Sequence, residues 1–168
     1  MKREEEVRVK KGAPNPAFLR RAIELATANV VEGRGGPFGA VIVRDGEIVG
    51  EGANSVTATF DPTAHGEVNA IRAACRALGV FSLEGCELYT SCEPCPMCLA
   101  AAYWSRVDAV YFGASHADAA RAGFDDAFLY GEMRTEMPER KLREEQLLAD
   151  EAWASFEAWI ASPMKIEY

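Results

Sequence analysis

Apolar residues near the start of the chain follow first a helical spacing and then a strand spacing. Asn15-Pro16 combines a favoured N-cap residue with the residue favoured at the first helical position. Behind it, apolar side chains recur every three or four residues as far as Gly33: Phe18, Leu19, Ala22, Ile23, Ala26 and Val30. The apolar runs 40–43 and 48–50 then flank Asp45-Gly46, a dipeptide typical of tight hairpin turns. We therefore expect a helix followed by a β-hairpin.

The middle of the chain alternates further helices and strands. A helical stripe in residues 64–78 ends at Gly79, a residue type that commonly terminates helices. Residues 86–91 have the pattern of a strand, 95 to about 105 that of an apolar helix, and 107–112 that of another strand. Strands that alternate with helices are typical of a layered α/β fold. We expect a sheet with helices on both faces.

The last third of the chain, residues 118–168, departs from this alternation. It begins with the acidic pair Asp125-Asp126 in a loop-like setting, whose ordinary interpretation is a solvated loop. Residues 139–148 and 152–160 then predict two helices. One stripe of the last helix is apolar: Trp153, Phe156 and Ile160. Ordinary core packing would explain that stripe, and burial against a second subunit is the alternative.

Composition and charge fit one globular domain, with 49% apolar and 26% charged residues among 168. We expect residues 1–13 to be a charged leader and residues 14–168 to form that domain. No apolar run predicts a signal peptide or a membrane span. Five cysteines, an odd number, favour a reducing cytoplasm over a disulfide scaffold. The net charge of −8 disfavours nucleic acid as a partner and favours a small-molecule substrate.

Two short motifs carry the candidate chemistry. His65 and Glu67 form a His-x-Glu motif. After a spacer of 26 residues (68–93), Cys95 and Cys98 form Pro-Cys-x-x-Cys. This order is the signature of zinc deaminases that act on nucleobases. Cysteines three apart at a helix start present both sulfurs on one side, and the unpaired N–H groups there favour the thiolates that a metal needs.

This set of ligands leaves one coordination position of zinc open. Histidine and two cysteines supply three of the four ligands that zinc prefers, which is the arrangement of catalytic rather than structural sites. We therefore expect one Zn²⁺ per subunit, held by His65, Cys95 and Cys98. Glu67 is close enough in sequence to reach water at the open position without being a ligand itself.

Other interpretations of the cysteines explain less. A lone Cys-x-x-Cys is compatible with redox chemistry, and Cys92 could complete a structural zinc site or, with its spacing, an iron–sulfur cluster. These alternatives leave His65 and Glu67 without a role. We expect Cys75, Cys86 and Cys92 to be small buried residues.

From about Phe18 to Tyr168 the chain resembles the cytidine deaminase superfamily and, within it, the bacterial guanine deaminases. The shared stretches are 35–43, 61–65, 90–98, 122–126 and 167–168. The resemblance implies a three-layer α/β/α sandwich around a mixed sheet. It also implies a homodimer that exchanges its C-terminal segments, here residues 118–168.

The resemblance also implies roles for residues outside the zinc motif. Phe38 would stack on the base, Asn54 would hydrogen-bond to it, and Trp104 would form the pocket wall. Asp126 and Tyr168 would complete the pocket of the partner subunit.

One position differs from the bacterial guanine deaminases. Gly66 stands where they usually have alanine, as in the His-Gly-Glu triplet of yeast-type cytosine deaminases. The backbone N–H at this position usually serves the base, and glycine keeps that donor while adding room and flexibility.

These observations predict a zinc-dependent hydrolase that converts guanine, a small purine base, to xanthine and ammonia in purine catabolism. In this hypothesis zinc activates water, and Glu67 moves the protons. Asp126 accepts hydrogen bonds from the base and helps to shuttle protons. Guanosine, cytosine or another amino-heterocycle are alternative substrates, and a tRNA adenosine deaminase or an inactive zinc-binding structural module are further alternatives.

Overall fold

A computed structural model describes residues 13–168, so the predicted leader 1–13 lies outside the described residues except for its last position. The helices are α1 (Pro16–Val31), α2 (Val56–Thr59), α3 (Gly66–Leu78), α4 (Pro96–Trp104), α5 (His116–Arg121), α6 (Asp126–Arg134) and α7 (Ala149–Ala161). The strands are β1 (Gly39–Arg44), β2 (Glu47–Ala53), β3 (Cys86–Cys92) and β4 (Ala109–Ala114). A single 3₁₀ turn spans Met137–Glu139. No helix in this described range is both long and apolar enough to cross a bilayer.

The four strands form a mixed sheet in the order β2-β1-β3-β4. Strand β1 is antiparallel to both β2 and β3, whereas β3 and β4 are parallel. The carboxyl ends of β2, β3 and β4 therefore lie at one edge of the sheet, together with the start of β1. Functional side chains in α/β folds collect at such an edge, where successive strands deliver their following loops.

Alternate residues of β1 divide the core into two halves. Ala40 and Ile42 are buried with residues of α3 and β3 on one face. Val41 and Val43 are buried on the other face, where Phe18 of α1 packs against the same cluster. Because successive side chains of a strand point to opposite faces, one apolar strand serves two helical layers. The predicted three-layer α/β/α sandwich around a mixed sheet is confirmed.

Helix α3 lies unusually close to strand β2. A Cβ atom added to Gly52 would come within 2.3 Å of the Gly66 carbonyl oxygen, so only glycine allows this approach. The close packing holds the start of α3 against the sheet edge. The segment that carries His65 is thereby fixed relative to the strands.

The first two-thirds of the chain follow the elements predicted from its apolar pattern. Asn15 caps α1 by accepting from the Ala17 backbone N–H at 3.0 Å, as its position before proline predicts. The third helix begins at Gly66 rather than residue 64, since His65 has an extended backbone and acts as its N-cap. The loop predicted between the hairpin and α3 contains the short helix α2.

The C-terminal third differs from its predicted structure. The helix predicted over residues 139–148 is wrong: only the 3₁₀ turn Met137–Glu139 forms there, followed by irregular chain up to α7. Two leucines of this stretch, Leu142 and Leu147, are both 73% exposed. Burial of an apolar face therefore does not stabilise a helix here. A short helix without tertiary packing is only marginally stable in water.

The last predicted helix is present as α7, but its apolar stripe lies on the surface. Trp153, Phe156 and Ile160 are 52%, 59% and 61% exposed. The core-packing interpretation of the stripe is therefore wrong within one chain. Burial against a second subunit stays a prediction.

Candidate active site

Three potential metal ligands meet where two helices begin at the sheet edge. His65 is the N-cap of α3, Cys95 is the N-cap of α4, and Cys98 lies in the first turn of α4. The Nδ1 atom of His65 lies 3.6 Å from the Cys95 sulfur and 3.5 Å from the Cys98 sulfur. Bond lengths and angles of tetrahedral zinc place a nitrogen and a sulfur ligand about 3.6 Å apart. The donor set and its spacing fit Zn²⁺.

The two thiols are poised to ionise in turn. A hydrogen bond from Cys98, together with His65, lowers the pKa of the Cys95 thiol to about 4. The shared proton and burial raise the pKa of Cys98. The hydrogen bond to Cys95 raises the pKa of His65. A metal ion therefore binds Cys95 as a thiolate readily, but it must compete with protons for Cys98 and His65.

The remaining cysteines do not join this cluster. Among the described residues, the only group of three or more histidine, cysteine or acidic side chains close enough to share a metal is His65, Cys95 and Cys98. Cys92 is buried at the end of β3, and its sulfur faces the Ser115 carbonyl oxygen at 3.9 Å. The expectation that Cys92 is a buried strand residue rather than a fourth ligand is confirmed.

The carboxylate of Glu67 lies in the first turn of α3, close to the metal ligands. Its side chain is 4% exposed and accepts a hydrogen bond of 3.2 Å from Thr90 Oγ1 on β3. Burial raises the pKa of Glu67, because a desolvated carboxylate favours its neutral form. A carboxylate beside the metal ligands can accept a proton and, once protonated, donate it again, as general acid–base catalysis requires.

A cavity of about 200 Å³ opens beside the metal cluster. Its walls include Phe38, Asn54, His65, Glu67 and Asp126, which come from four separate places in the sequence. The ring of Phe124 meets that of Phe38 edge to face, with centroids 4.8 Å apart and planes at 81°. A flat aromatic ligand could lie in this cavity between the aromatic wall formed by Phe38 and Phe124 and the carboxylates of Glu67 and Asp126.

Asn54 is fixed by its neighbours in the cavity wall. Its Oδ1 atom accepts from the backbone N–H groups of Gly36 and Val56 at 3.3 and 3.4 Å. Its carbonyl oxygen accepts from the side chain of Asn29, a buried residue of α1, at 2.8 Å. The occupied oxygen leaves the amide nitrogen of Asn54 as the group able to donate to a ligand.

Asp126 begins helix α6 and reaches the same cavity. The preceding Asp125 caps the helix by accepting from the Phe128 backbone N–H at 3.1 Å, so the two acidic residues have different roles. Burial, together with the nearby Cys95, raises the pKa of Asp126. The interpretation as a solvated loop fits Asp125, which is exposed in the turn before α6, but not Asp126, which is half-buried in the cavity wall.

Gly66 lies behind the aromatic wall rather than in it. A Cβ atom at this position would approach the Phe38 carbonyl oxygen to 3.0 Å, so alanine would need a small displacement of that strand end. As the first residue of α3, Gly66 has a backbone N–H without an intrahelical partner.

Trp104 and Tyr168 lie together, away from the metal cluster of their own chain. Their ring centroids are 6.3 Å apart, and Trp159 of α7 packs near Tyr168. The three aromatic residues line a separate cavity of about 570 Å³. One chain therefore brings together Phe38, Asn54 and Asp126, so Asp126 lies in the cavity of its own chain, contrary to the expectation that it completes the partner's pocket. Trp104 and Tyr168 lie outside that cavity.

Several site residues were not predicted from the sequence. Thr90, Phe124 and Asn29 contact predicted residues only through the tertiary fold. Asn29 carried a usable signal, since a buried asparagine on the inner face of α1 must find hydrogen-bond partners. Thr90 and Phe124 lie inside shared sequence stretches but had no separate chemical signature.

The chain matches known proteins along most of its length. It is 54% identical to the guanine deaminase of Bacillus subtilis over 151 residues, which cover 90% of this chain and 97% of that protein. The match to the X-ray structure of that guanine deaminase covers 93% of this chain and 99% of the chain in that structure, with a TM-score of 0.89 and 52% identity. The tRNA-specific adenosine deaminase of Aquifex aeolicus is 47% identical over 97 residues, or 58% of this chain and 64% of that protein.

A family assignment follows from the metal-binding part of the chain. Residues 14–114 match the cytidine and deoxycytidylate deaminase zinc-binding region, and this range contains all three clustered ligands and Glu67. The chain belongs to the cytidine and deoxycytidylate deaminase family and is a zinc-dependent hydrolase.

Proposed function

We propose that the protein hydrolyses guanine to xanthine and ammonia. One observation carries the proposal: Asp126, from the C-terminal third, lines the same cavity as His65 and Glu67. The similarity to Bacillus subtilis guanine deaminase extends over that third, whereas the match to the tRNA-specific adenosine deaminase covers little more than half of the chain. The net charge of −8 also favours a free base over a nucleic acid.

His65, Cys95 and Cys98 would hold the zinc ion. When bound, zinc lowers the pKa of a water molecule, so that hydroxide is available near neutral pH. Glu67 accepts the proton of that water and passes it to a ring nitrogen of guanine, which makes C2 more electrophilic. Hydroxide adds to C2, and Glu67 then moves the proton of the new C2 hydroxyl group to the amino group, which leaves as ammonia while the C2 carbonyl forms. Burial and the hydrogen bond from Thr90 keep the carboxylate in place for both transfers.

The cavity walls would recognise the flat base. Phe38 would stack on the ring system, with Phe124 supporting it from the side. The amide of Asn54 and the backbone N–H of Gly66 would donate to acceptors of the base. The carboxylate of Asp126 would accept from its ring N–H and amino groups, which suits guanine.

We infer further that the protein is a homodimer in which the C-terminal end of one chain, from α7 to Tyr168, completes the site of the other, while Asp126 stays in the cavity of its own chain. The support is the exposed stripe Trp153, Phe156 and Ile160, and the pairing of Trp104 with Tyr168 outside their own catalytic cavity. In this arrangement Tyr168 would close the cavity of the partner. Residues 14–168 would be one folding domain, located in the cytoplasm.

The proposal is tested by ammonia release across guanine, guanosine, cytosine, adenine and tRNA, with zinc content measured on the same sample. We expect guanine to be turned over fastest by protein that carries one zinc per chain. A faster rate on another substrate would contradict the choice of guanine. Zinc-loaded protein that releases no ammonia from any of them would instead support a structural module.

A further inference from the structure

His116, the first residue of α5, lies between two carboxylates at the edge of the catalytic cavity. Its Nε2 atom is 3.4 Å from Glu93 Oε1, and its Nδ1 atom is 3.7 Å from Asp126 Oδ2. Glu93 belongs to the loop that precedes the cysteine ligands, and Asp126 belongs to the cavity wall. The imidazole ring therefore connects the metal-binding loop to the residue that the proposed function assigns to the base.

The Nδ1 atom of His116 is buried without a hydrogen-bond partner, and it is the only such side-chain atom among residues 13–168. A buried polar atom left unpaired costs free energy, so it calls for an explanation. The Asp126 carboxylate faces this nitrogen, only slightly beyond hydrogen-bonding distance. A small rotation of that carboxylate would bring it into contact, and hydrogen bonds at catalytic sites often tighten only when substrate binds.

The other contacts of His116 hold its ring firmly. Its backbone N–H donates to Glu93 Oε2 at 3.1 Å, which ties the start of α5 to the metal-binding loop. The ring of Tyr130 packs edge-on against the imidazole, with centroids 4.9 Å apart. The Tyr130 hydroxyl donates to the Pro94 carbonyl oxygen at 2.9 Å. Among these groups, the Asp126 carboxylate is the one that faces the buried, unpaired Nδ1 atom of the ring.

We propose that His116 is a positioning residue: its Nδ1–H points at the Asp126 carboxylate in the free protein, closes to a full hydrogen bond when the base is bound, and holds that carboxylate in the orientation that receives the base. This inference rests on the proposed role of Asp126, and it gives α5 a part in substrate recognition. His116 itself touches neither the base nor the metal ligands. Its effect on turnover passes entirely through Asp126.

Two substitutions test the roles of the two ring nitrogens of His116 separately. The side-chain amide of His116→Asn can place a donor near the position of Nδ1, whereas that of His116→Gln reaches the position of Nε2. The inference predicts that His116→Asn keeps kcat within about threefold of wild type. His116→Gln should lower kcat by about 10- to 100-fold, the range expected for a hydrogen bond to a charged group. A role in holding α5 to Glu93 would give the opposite order.

A double-mutant cycle tests whether the effect passes through Asp126. In an Asp126→Asn background, His116→Gln should change kcat by less than about twofold. In a control background, Asp45→Asn in the exposed hairpin turn, it should retain its full effect. Zinc content and melting temperature are measured on every variant. An equal loss of kcat in both backgrounds would overturn the inference.

A spectroscopic measurement tests the contact without turnover, and so distinguishes this inference from the choice of guanine as substrate. The chain has two histidines, so the imidazole signals of His116 are assigned by comparison with its variants. In zinc-loaded protein we expect long-range ¹H–¹⁵N spectra to show a proton on Nδ1, and its signal to move in Asp126→Asn. An unprotonated Nδ1, or a signal that does not respond to Asp126→Asn, overturns the positioning role whatever the enzyme deaminates.

Discussion

Thr90 donates a hydrogen bond from its hydroxyl group to the carboxylate of Glu67, across the junction between β3 and α3. The two side chains are 1% and 4% exposed, so water cannot replace the contact. Burial raises the pKa of Glu67 and so favours its neutral form. The Thr90 hydroxyl orients the carboxylate within this buried site. A residue of strand β3 thus helps to hold the catalytic carboxylate of helix α3 in place.

Removal of the Thr90 hydroxyl group should slow turnover without loss of zinc. Thr90→Val keeps the shape of the side chain but leaves one oxygen of Glu67 unpaired, and we expect kcat to fall by about tenfold or more. Steady-state kinetics and elemental analysis measure the two quantities. Thr90→Ser, which retains the hydroxyl, should keep most of the activity. Equal losses in the two variants would show that the hydroxyl is not the cause.

Loss of the Glu67 carboxylate should separate chemistry from metal binding. Glu67→Gln retains the size of the side chain but cannot transfer protons, so kcat should fall by about 10²- to 10⁴-fold. Zinc content should stay at one per chain, because Glu67 is outside the ligand cluster. Glu47→Gln, an exposed glutamate at the start of β2, serves as the matched control. A near-normal rate for Glu67→Gln would remove its assigned role.

Asp126 should matter more for purines than for pyrimidines. If its carboxylate accepts from the ring N–H and amino groups of guanine, Asp126→Ala should lower kcat/KM for guanine by at least about tenfold more than for cytosine. Deamination rates for both bases are compared on the same preparations. The same fold loss on the two bases would mean that Asp126 does not read the purine.

Zinc removal should abolish activity and destabilise the fold. Because the ligands come from two helices, the metal links α3 to α4, and binding to the folded state raises the melting temperature. A chelator should lower both activity and melting temperature, and added Zn²⁺ should restore them. Cys95→Ser should reduce zinc content, whereas Cys75→Ser, outside the cluster, should not. Full activity in metal-free protein would contradict a catalytic role for zinc.

The ion pair between Arg21 and Glu51 should contribute a pH-dependent part of the stability. Arg21 Nε and Nη2 donate to the two oxygens of Glu51 at 2.7 and 2.9 Å, which lowers the pKa of that carboxyl below its ordinary 4.5. A depressed pKa stabilises the fold fully above the ordinary value, and the contribution is lost as the pH falls through the folded value. Both side chains are partly exposed, so solvent screening limits it to at most about 1 kcal/mol.

Glu51→Gln should therefore lower the melting temperature slightly at pH 7. The difference from wild type should shrink below pH 4.5 and vanish once Glu51 is protonated in the folded protein. Thermal unfolding followed by circular dichroism from pH 7 downward measures this difference. A difference that is independent of pH would show that packing rather than charge stabilises this contact.

The parts of the structure that short-range patterns determine were predictable from the sequence. The metal ligands His65, Cys95 and Cys98 were found because helix starts and ligand spacing are local properties. Thr90 was missed because its partner is 23 positions away, on another element. The helix predicted over 139–148 failed for the converse reason: its local propensity was adequate, but its leucines stay exposed among residues 13–168.

Two of the side chains that would recognise the base, Phe124 and Asp126, come from a different part of the chain than the hydrolytic centre. The zinc ligands, Glu67 and Thr90 all lie between residues 65 and 98, whereas Phe124 and Asp126 follow the last strand. Changes after β4 can therefore alter the substrate preference while the zinc ligands and Glu67 stay the same. Chimaeras joined just after β4 would be the natural starting point for engineering deaminases with new preferences.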